Sequence, residues 1–228
     1  MFDILIKGGL VLDGAANPGQ YLSVAVKNDT IHLLRGDVSE IKAKQNIDAY
    51  GKVVSPGFID VHAHSGLVIL SEPEHMPKVH QGVTTELIGI DGNSYAPFYN
   101  DLDLKRMIQI NSGLDGDPNI DYNWNTVTDY LDKFDQKVAV NIAYVVGNSP
   151  LRIGAMGWSA NKANSKDLDK QKGLLREAMQ EGAFGISTGL DYPPGNYADT
   201  DELVEIAKES EKFEGFYHTH VRYRLGDQ

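Results

Sequence analysis

The sequence predicts an α/β chain in which parallel β/α units follow a small N-terminal β unit, and three observations carry that prediction. Up to about residue 55, strand-length alternating runs are punctuated by turn residues. Beyond it, apolar strand-length runs alternate with segments of helical periodicity. Most intervals between those runs are helix-length, as a parallel crossover requires. In order, residues 3–6 and 10–12 form strands divided by Gly8-Gly9. Residues 21–26 form another, and the polar turn Lys27-Asn28-Asp29 leads into residues 31–34. Together these read as an antiparallel unit of hairpins. Five later strands are expected at 58–62, 84–90, 138–146, 184–187 and 216–221. Helices are expected at about 126–134, 166–181 and 200–213. Leu168, Leu175, Ala178 and Met179 give the second of these an apolar face, and Gly182 suits its end. Asp199 with Glu202 resembles a capping box opening the third. The stretch 91–123 is rich in Asn, Asp and Gly and reads as a long functional loop. No internal repeat or low-complexity tract interrupts the chain.

The composition narrows the function classes. The 228 residues contain 21 basic and 32 acidic side chains, a net charge of −11, which argues against broad nucleic-acid binding. There is no cysteine, so disulfides, thiolate zinc sites and cysteine nucleophiles are excluded. No apolar run approaches the ~20 residues of a membrane helix, so no membrane partner is expected. The amino terminus shows no secretion pattern, and a cytoplasmic location is the expectation. Ser187 lacks a nucleophile-elbow context, and no glycine-rich loop has the surroundings of a nucleotide site.

The chemistry concentrates in Asp60-Val61-His62-Ala63-His64, at the end of an apolar strand. Side chains two apart on a strand share a face, so His62 and His64 point the same way with Asp60 a layer deeper. Two neutral imidazoles on one face make half of a metal site. Two hydrogen-bonded histidines at a strand end would show the same spacing.

The run Ser55-Pro56-Gly57-Phe58-Ile59-Asp60-Val61-His62-Ala63-His64 resembles the amidohydrolase superfamily of metal-dependent hydrolases. Further segments narrow the resemblance to the N-acyl-D-amino-acid deacylase (D-aminoacylase) group: residues 81–85 (QGVTT), 93–97 (NSYAP), 181–190 (EGAFGISTGL) with Tyr192, and 219–222 (THVR). The resemblance extends over essentially the whole chain. It implies a (β/α)8 TIM-like barrel with metal ligands at the C-terminal strand ends. On that basis the chain holds a β unit of sandwich type at 1–55, half of a composite β domain. Residues 56–228 then form an incomplete barrel of about five strands.

The implied metal ligands are His62, His64, Asp91 and His220. Asp91 stands where the family usually has a metal-binding Cys, and as a harder ligand it admits manganese or similar ions beside zinc. A role as a loop cap is the alternative for Asp91. The expected cofactor is one or two Zn2+ ions, or another divalent metal. His220 matches the family's fifth-strand ligand, and His218, where the family usually has a small residue, is expected beside the ligands rather than among them. Arg222 suits a substrate carboxylate or a structural ion pair. Tyr192 suits substrate contact or a loop anchor. His32, His75 and His80 are expected to pack or face solvent.

The implied reaction is metal-assisted hydrolysis of an N-acyl-amino acid, of D configuration on family grounds, with a small-molecule substrate as the partner. The family's proton-shuttling Asp and a further His ligand are expected beyond Gln228. Only residues 56–228 are available for a barrel that typically takes ~250. The chain is therefore expected to be an N-terminal fragment, inactive alone and lacking the C-terminal half of its barrel. Two alternatives are a cyclic amidase of dihydroorotase or hydantoinase type, and a non-catalytic partial barrel that docks with a complementary chain. The first usually has a metal-bridging Lys on the fourth strand, where residues 185–188 read Gly-Ile-Ser-Thr.

Overall fold

The computed structural model describes residues 1–222. Two compact units emerge, Met1–Gly57 and the remainder from Phe58 onward. In the first, β1 (Phe2–Val11), β2 (Gln20–Lys27), β3 (Thr30–Leu34), β4 (Ala43–Asp48) and β5 (Val53–Val54) form one sheet. Its order is β3-β2-β1-β4, with β5 also beside β1. The expected antiparallel hairpins hold for β1 with β2 and β2 with β3. They do not hold for the rest, because β4 and β5 both pair with β1 in parallel. The reason is the connection after β3, which carries buried Val38 across Leu5 and Ala25 before re-entering alongside β1. The shift in register between Ile6 and Gly9 places Gly8-Gly9 at a bulge within β1 rather than between two strands.

From Phe58 the chain alternates. The strands β6 (Phe58–Asp60), β7 (Val83–Ile88) and β8 (Asn141–Tyr144) pair in parallel and in sequence order. So do β9 (Val146–Gly147), β10 (Gly185–Gly189) and β11 (Phe216–His220). Only Val145 separates β8 from β9, and its N–H donates to the Ile88 carbonyl at 3.0 Å. Short helices α1 (Val68–Ser71) and α2 (Met76–Val79) precede β7, and α3 (Asp101–Asp115) and α4 (Val127–Leu131) precede β8. Helices α5 (Asn148–Met156) and α6 (Ser165–Gln180) precede β10, and α7 (Thr200–Glu211) precedes β11.

Neighbouring strand residues go to opposite faces, and both faces are filled. Ile88 packs with Tyr144 of β8 and with Leu104, Met107, Tyr130 and Leu151 of the helical layer. Leu87 packs with Ile90 and Val145 on the other side. Burial on both faces is the rule for parallel sheets and explains why these strands read as continuous apolar runs.

The largest departure from expectation is α3, which occupies the middle of the stretch read as loop. Asn100 caps it by accepting from the Leu102 N–H at 2.9 Å, and Asp101 and Asp103 sit in its first turn. Its buried face is Leu104, Met107, Ile108, Asn111 and Asp115. Two polar residues on that face broke the apolar period. Helix α5 was also unforeseen, although Pro150 lies in its first turn, where a missing N–H costs nothing.

Candidate metal centre

The centre lies where β6 and β7 end. Strand β6 stops at Asp60, so strand parity does not carry on to the two histidines, and the turn after Asp60 sets their direction instead. The Asp60 carboxylate accepts from the His62 N–H at 3.0 Å. It also takes a hydrogen bond from Lys78 of α2, so it engages the helical layer rather than forming a deeper level beneath the histidines. The Lys78 ammonium lies 3.1 Å from a carboxylate oxygen of buried Glu86, whose other oxygen faces His75 at 3.1 Å. His75 is thus a buried partner of Glu86, and His32 packs edge-on against Phe2.

Asp91 is delivered by a strained crossing of backbones. It adopts φ 55°, a left-handed conformation that Asp tolerates better than most residues. A Cβ on Gly189 would come within 1.8 Å of the Asp91 carbonyl oxygen, so β10 can approach this loop only with glycine there. Ser187 completes the clamp: its hydroxyl donates to the Gly89 carbonyl at 2.5 Å and accepts from the Gly92 N–H at 3.0 Å. The hydroxyl is therefore spent on holding the loop.

Three ligand atoms converge. His62 Nε2 is 3.4 Å and His64 Nε2 is 3.3 Å from Asp91 Oδ2. Ligand atoms of the three residues all lie within 4.8 Å of one another, the one such cluster among the described residues. Asp91 Oδ1 is buried without a hydrogen-bond partner among the described residues. An orphaned carboxylate oxygen costs free energy unless something electropositive faces it. Two imidazole nitrogens and a carboxylate are the donor set of zinc and related divalent ions, so these residues fit a metal.

Asp115, from the polar end of the α3 face, was not foreseen. Its Oδ1 is 2.6 Å from His64 Nδ1, and its Oδ2 accepts from the Tyr95 hydroxyl at 2.5 Å. The hydrogen bond to Asp115, followed by that to Asp91, raises the His64 pKa from 6.5 to about 9. Burial pushes the Asp91 carboxyl up, but the His64 hydrogen bond and nearby His62 and His220 outweigh it and leave the pKa below the usual carboxylate value. Burial and Asp115 push the Tyr95 hydroxyl far up, so it remains a donor.

His220, at the end of β11, is placed beside rather than within the tight cluster. Its Nε2 is 3.3 Å from the Tyr192 hydroxyl and 3.8 Å from Asp191 Oδ2, and its ring stacks on Tyr192 at 5.2 Å. His218 Nε2 lies 3.3 Å from His62 Nδ1. Burial and the neighbouring histidines hold the His218 pKa below its usual value. Arg222 Nη2 donates to the carbonyls of Ala198 at 3.0 Å and Asn196 at 3.4 Å, tying down the segment that follows Tyr192.

The amidohydrolase family matches residues 45–221. D-aminoacylase of Alcaligenes xylosoxydans xylosoxydans is 37% identical over 222 residues, covering 97% of this chain and 44% of that protein. N-acyl-D-glutamate deacylase of the same organism is 32% identical over 96% of this chain and 44% of the relative. A crystal structure of D-aminoacylase superposes with TM-score 0.84 at 36% identity, over 98% of this chain and 46% of that one. N-acyl-D-glutamate deacylase from Bordetella bronchiseptica, solved with zinc and a phosphonate mimic of the tetrahedral intermediate, gives TM-score 0.84 at 29% identity, over 97% and 45% of the two chains. A dihydroorotase of Lactococcus lactis matches over 88 residues only, 38% of this chain. The chain thus spans less than half the length of the deacylases it resembles. Among the described residues, no helix is long and apolar enough to cross a membrane. Matched by the family over most of its length, the chain belongs to the amidohydrolase family.

Proposed function

We propose that this chain is the N-terminal part of a metal-dependent deacylase of N-acyl-D-amino acids, and that it supplies the metal-binding half of the site. The observation that carries the reading is the convergence of His62 Nε2, His64 Nε2 and Asp91 Oδ2, with Asp91 Oδ1 buried and unpartnered. Deacylases related to the chain over nearly all of its length support the substrate class.

In this reading His62, His64 and Asp91 hold one divalent ion, with His220 a fourth contributor or the first ligand of a second ion. A divalent ion in such a site polarises an amide carbonyl and lowers the pKa of water toward ~7. Asp115 holds the His64 ring with Nε2 toward the centre. The Tyr192 hydroxyl and Arg222, on the β10 and β11 side, face the N-acyl substrate, and Arg222 keeps the Tyr192 segment in place through two carbonyls.

The parallel strands then form the first part of a (β/α)8 barrel, residues 56–228, behind a β unit at 1–55 that belongs to a composite β domain. Exposed apolar side chains on the two outer strands support this: Phe58 and Ile59 on β6, Phe216 and Tyr217 on β11. Bare apolar edges of a parallel sheet call for cover. The 228-residue chain accordingly binds metal without deacylating on its own.

Metal analysis of the purified chain, with parallel assay of N-acyl-D-amino acid hydrolysis, tests both statements. Bound zinc or manganese that disappears in His64→Ala and Asp91→Ala, without turnover, is the expected result. Retention of metal in both variants overturns the ligand assignment, and turnover by the isolated chain overturns the fragment reading.

A further inference from the structure

We propose that His218 is a positioning residue that fixes the tautomer of His62. Nδ1 of His62 donates to Nε2 of His218, which leaves Nε2 of His62 as a bare lone pair facing Asp91. The proposal rests on reading His62, His64 and Asp91 as metal ligands.

The two rings lie 3.3 Å apart, Nδ1 to Nε2, with centroids 5.2 Å apart and planes inclined by 40°. A neutral imidazole has one donor and one acceptor nitrogen. The His62 nitrogen turned toward Asp91 is Nε2, at 3.4 Å. A ligating nitrogen carries no proton, so the proton of His62 belongs on Nδ1. The atom waiting there is Nε2 of His218, which must therefore be the acceptor, and the proton of His218 sits on its own Nδ1. That atom is buried and makes no hydrogen bond. A histidine kept for packing or for anchoring a loop would be expected to use Nδ1. Among the described residues the ring's one hydrogen bond goes to the neighbouring histidine, and its Nδ1–H is left unsatisfied.

Comparison with His64 explains why such a partner is useful. The His64 side chain is 23% exposed, and its Nδ1 meets a carboxylate oxygen of Asp115 at 2.6 Å. The His62 side chain is 51% exposed, and no carboxylate stands at its Nδ1 in the described contacts. Without His218 its ring would be free to turn and to carry its proton on either nitrogen. The register of β11 against β10 places His218 opposite Ser187, the residue that clamps the Asp91 loop. Both ends of the His62–Asp91 pair are thereby set from the same two strands.

Zinc titration of the full 228-residue chain against a chromogenic chelator tests the proposal, together with long-range proton–nitrogen NMR of the histidine rings. His218→Ala should weaken zinc binding about 10- to 100-fold, the usual consequence of removing the partner of a ligating histidine. His218→Gln, whose Oε1 can stand in for Nε2 as acceptor, should recover most of that loss. In the zinc-loaded wild-type chain the His62 proton should reside on Nδ1, a readout that requires no substitution. Wild-type zinc affinity in His218→Ala, or a His62 proton on Nε2, overturns the proposal. If His62→Ala loses zinc while His218→Ala does not, only the positioning role falls. If His62→Ala also binds as wild type, the ligand reading falls with it.

Discussion

Two buried polar clusters in this chain are built on opposite plans. In the helical layer, fully buried Arg152 of α5 meets Glu202 of α7, with Nη1 2.7 Å and 2.5 Å from its two carboxylate oxygens. Arg152 Nη2 donates to the carbonyls of Ser159 and Asn161, and the Gln171 amide also donates to Glu202. In these contacts donors face acceptors and a positive charge faces a negative one, although Arg152 Nε and Gln171 Oε1 find no hydrogen-bond partner among the described residues. At the ends of β6 and β7 the plan is different: His62 Nε2, His64 Nε2 and Asp91 Oδ2 all turn toward one another, and Asp91 Oδ1 has no hydrogen-bond partner among the described residues. A charge-matched cluster holds a fold together. Two imidazole nitrogens converging on a carboxylate are the donor set a divalent cation would take, once His64 gives up the proton it shares with Asp91.

The Arg152–Glu202 pair, termed the arginine clamp, carries the most stability of the two clusters. Arg152→Ala leaves Glu202 buried without its cation and should cost about 3–5 kcal/mol of folding stability, read by urea denaturation. An Arg152→Met, Glu202→Leu pair should recover much of it, because removing both charges removes the desolvation penalty. If the single variant unfolds no more readily than wild type, the arginine clamp is not structural.

A smaller effect sharpens the other half. Asp115→Asn should leave the fold intact and weaken zinc binding about 10- to 100-fold, since the role proposed for Asp115 is to orient a ligand rather than to supply one. Unchanged affinity by chelator competition would remove Asp115 from the centre.

The smallest effect is in pH. His64 has its pKa raised from 6.5 to about 9 by Asp115 and Asp91. A raised pKa means the folded state binds the proton more tightly, so the stabilisation is complete below pH 6.5 and is lost as pH rises toward 9. Denaturation of the metal-free chain across that window should show a decline that Asp115→Asn flattens. Asp91, with its pKa lowered, contributes in the opposite direction: its share is present above pH 3.8 and fades on acidification.

Legibility in the sequence followed the range of the interaction. His62 and His64 could be read because their spacing is local, and Asp91 because its loop lies in a segment that resembles a known family. The alternation of strands and helices was equally open, since β7, α6, α7, β10 and β11 carry their own periodicity and caps. Helix α3 was hidden by Asn111 and Asp115 on its buried face, which broke the apolar period used to recognise a helix. The same substitution of polar for apolar was the signal that could have marked Asp115 as functional.

What the sequence determined by itself was therefore the α/β class and the His-x-His pair, both properties of neighbouring residues, while Asp91 was read through the family resemblance. The tertiary structure alone decided the rest. It brought Asp115 to His64 across 51 positions and His218 to His62 across 156, and it turned β4 and β5 parallel to β1. Hydrogen bonds reach about 3 Å regardless of separation along the chain. Their partners are chosen by packing, which no local pattern records.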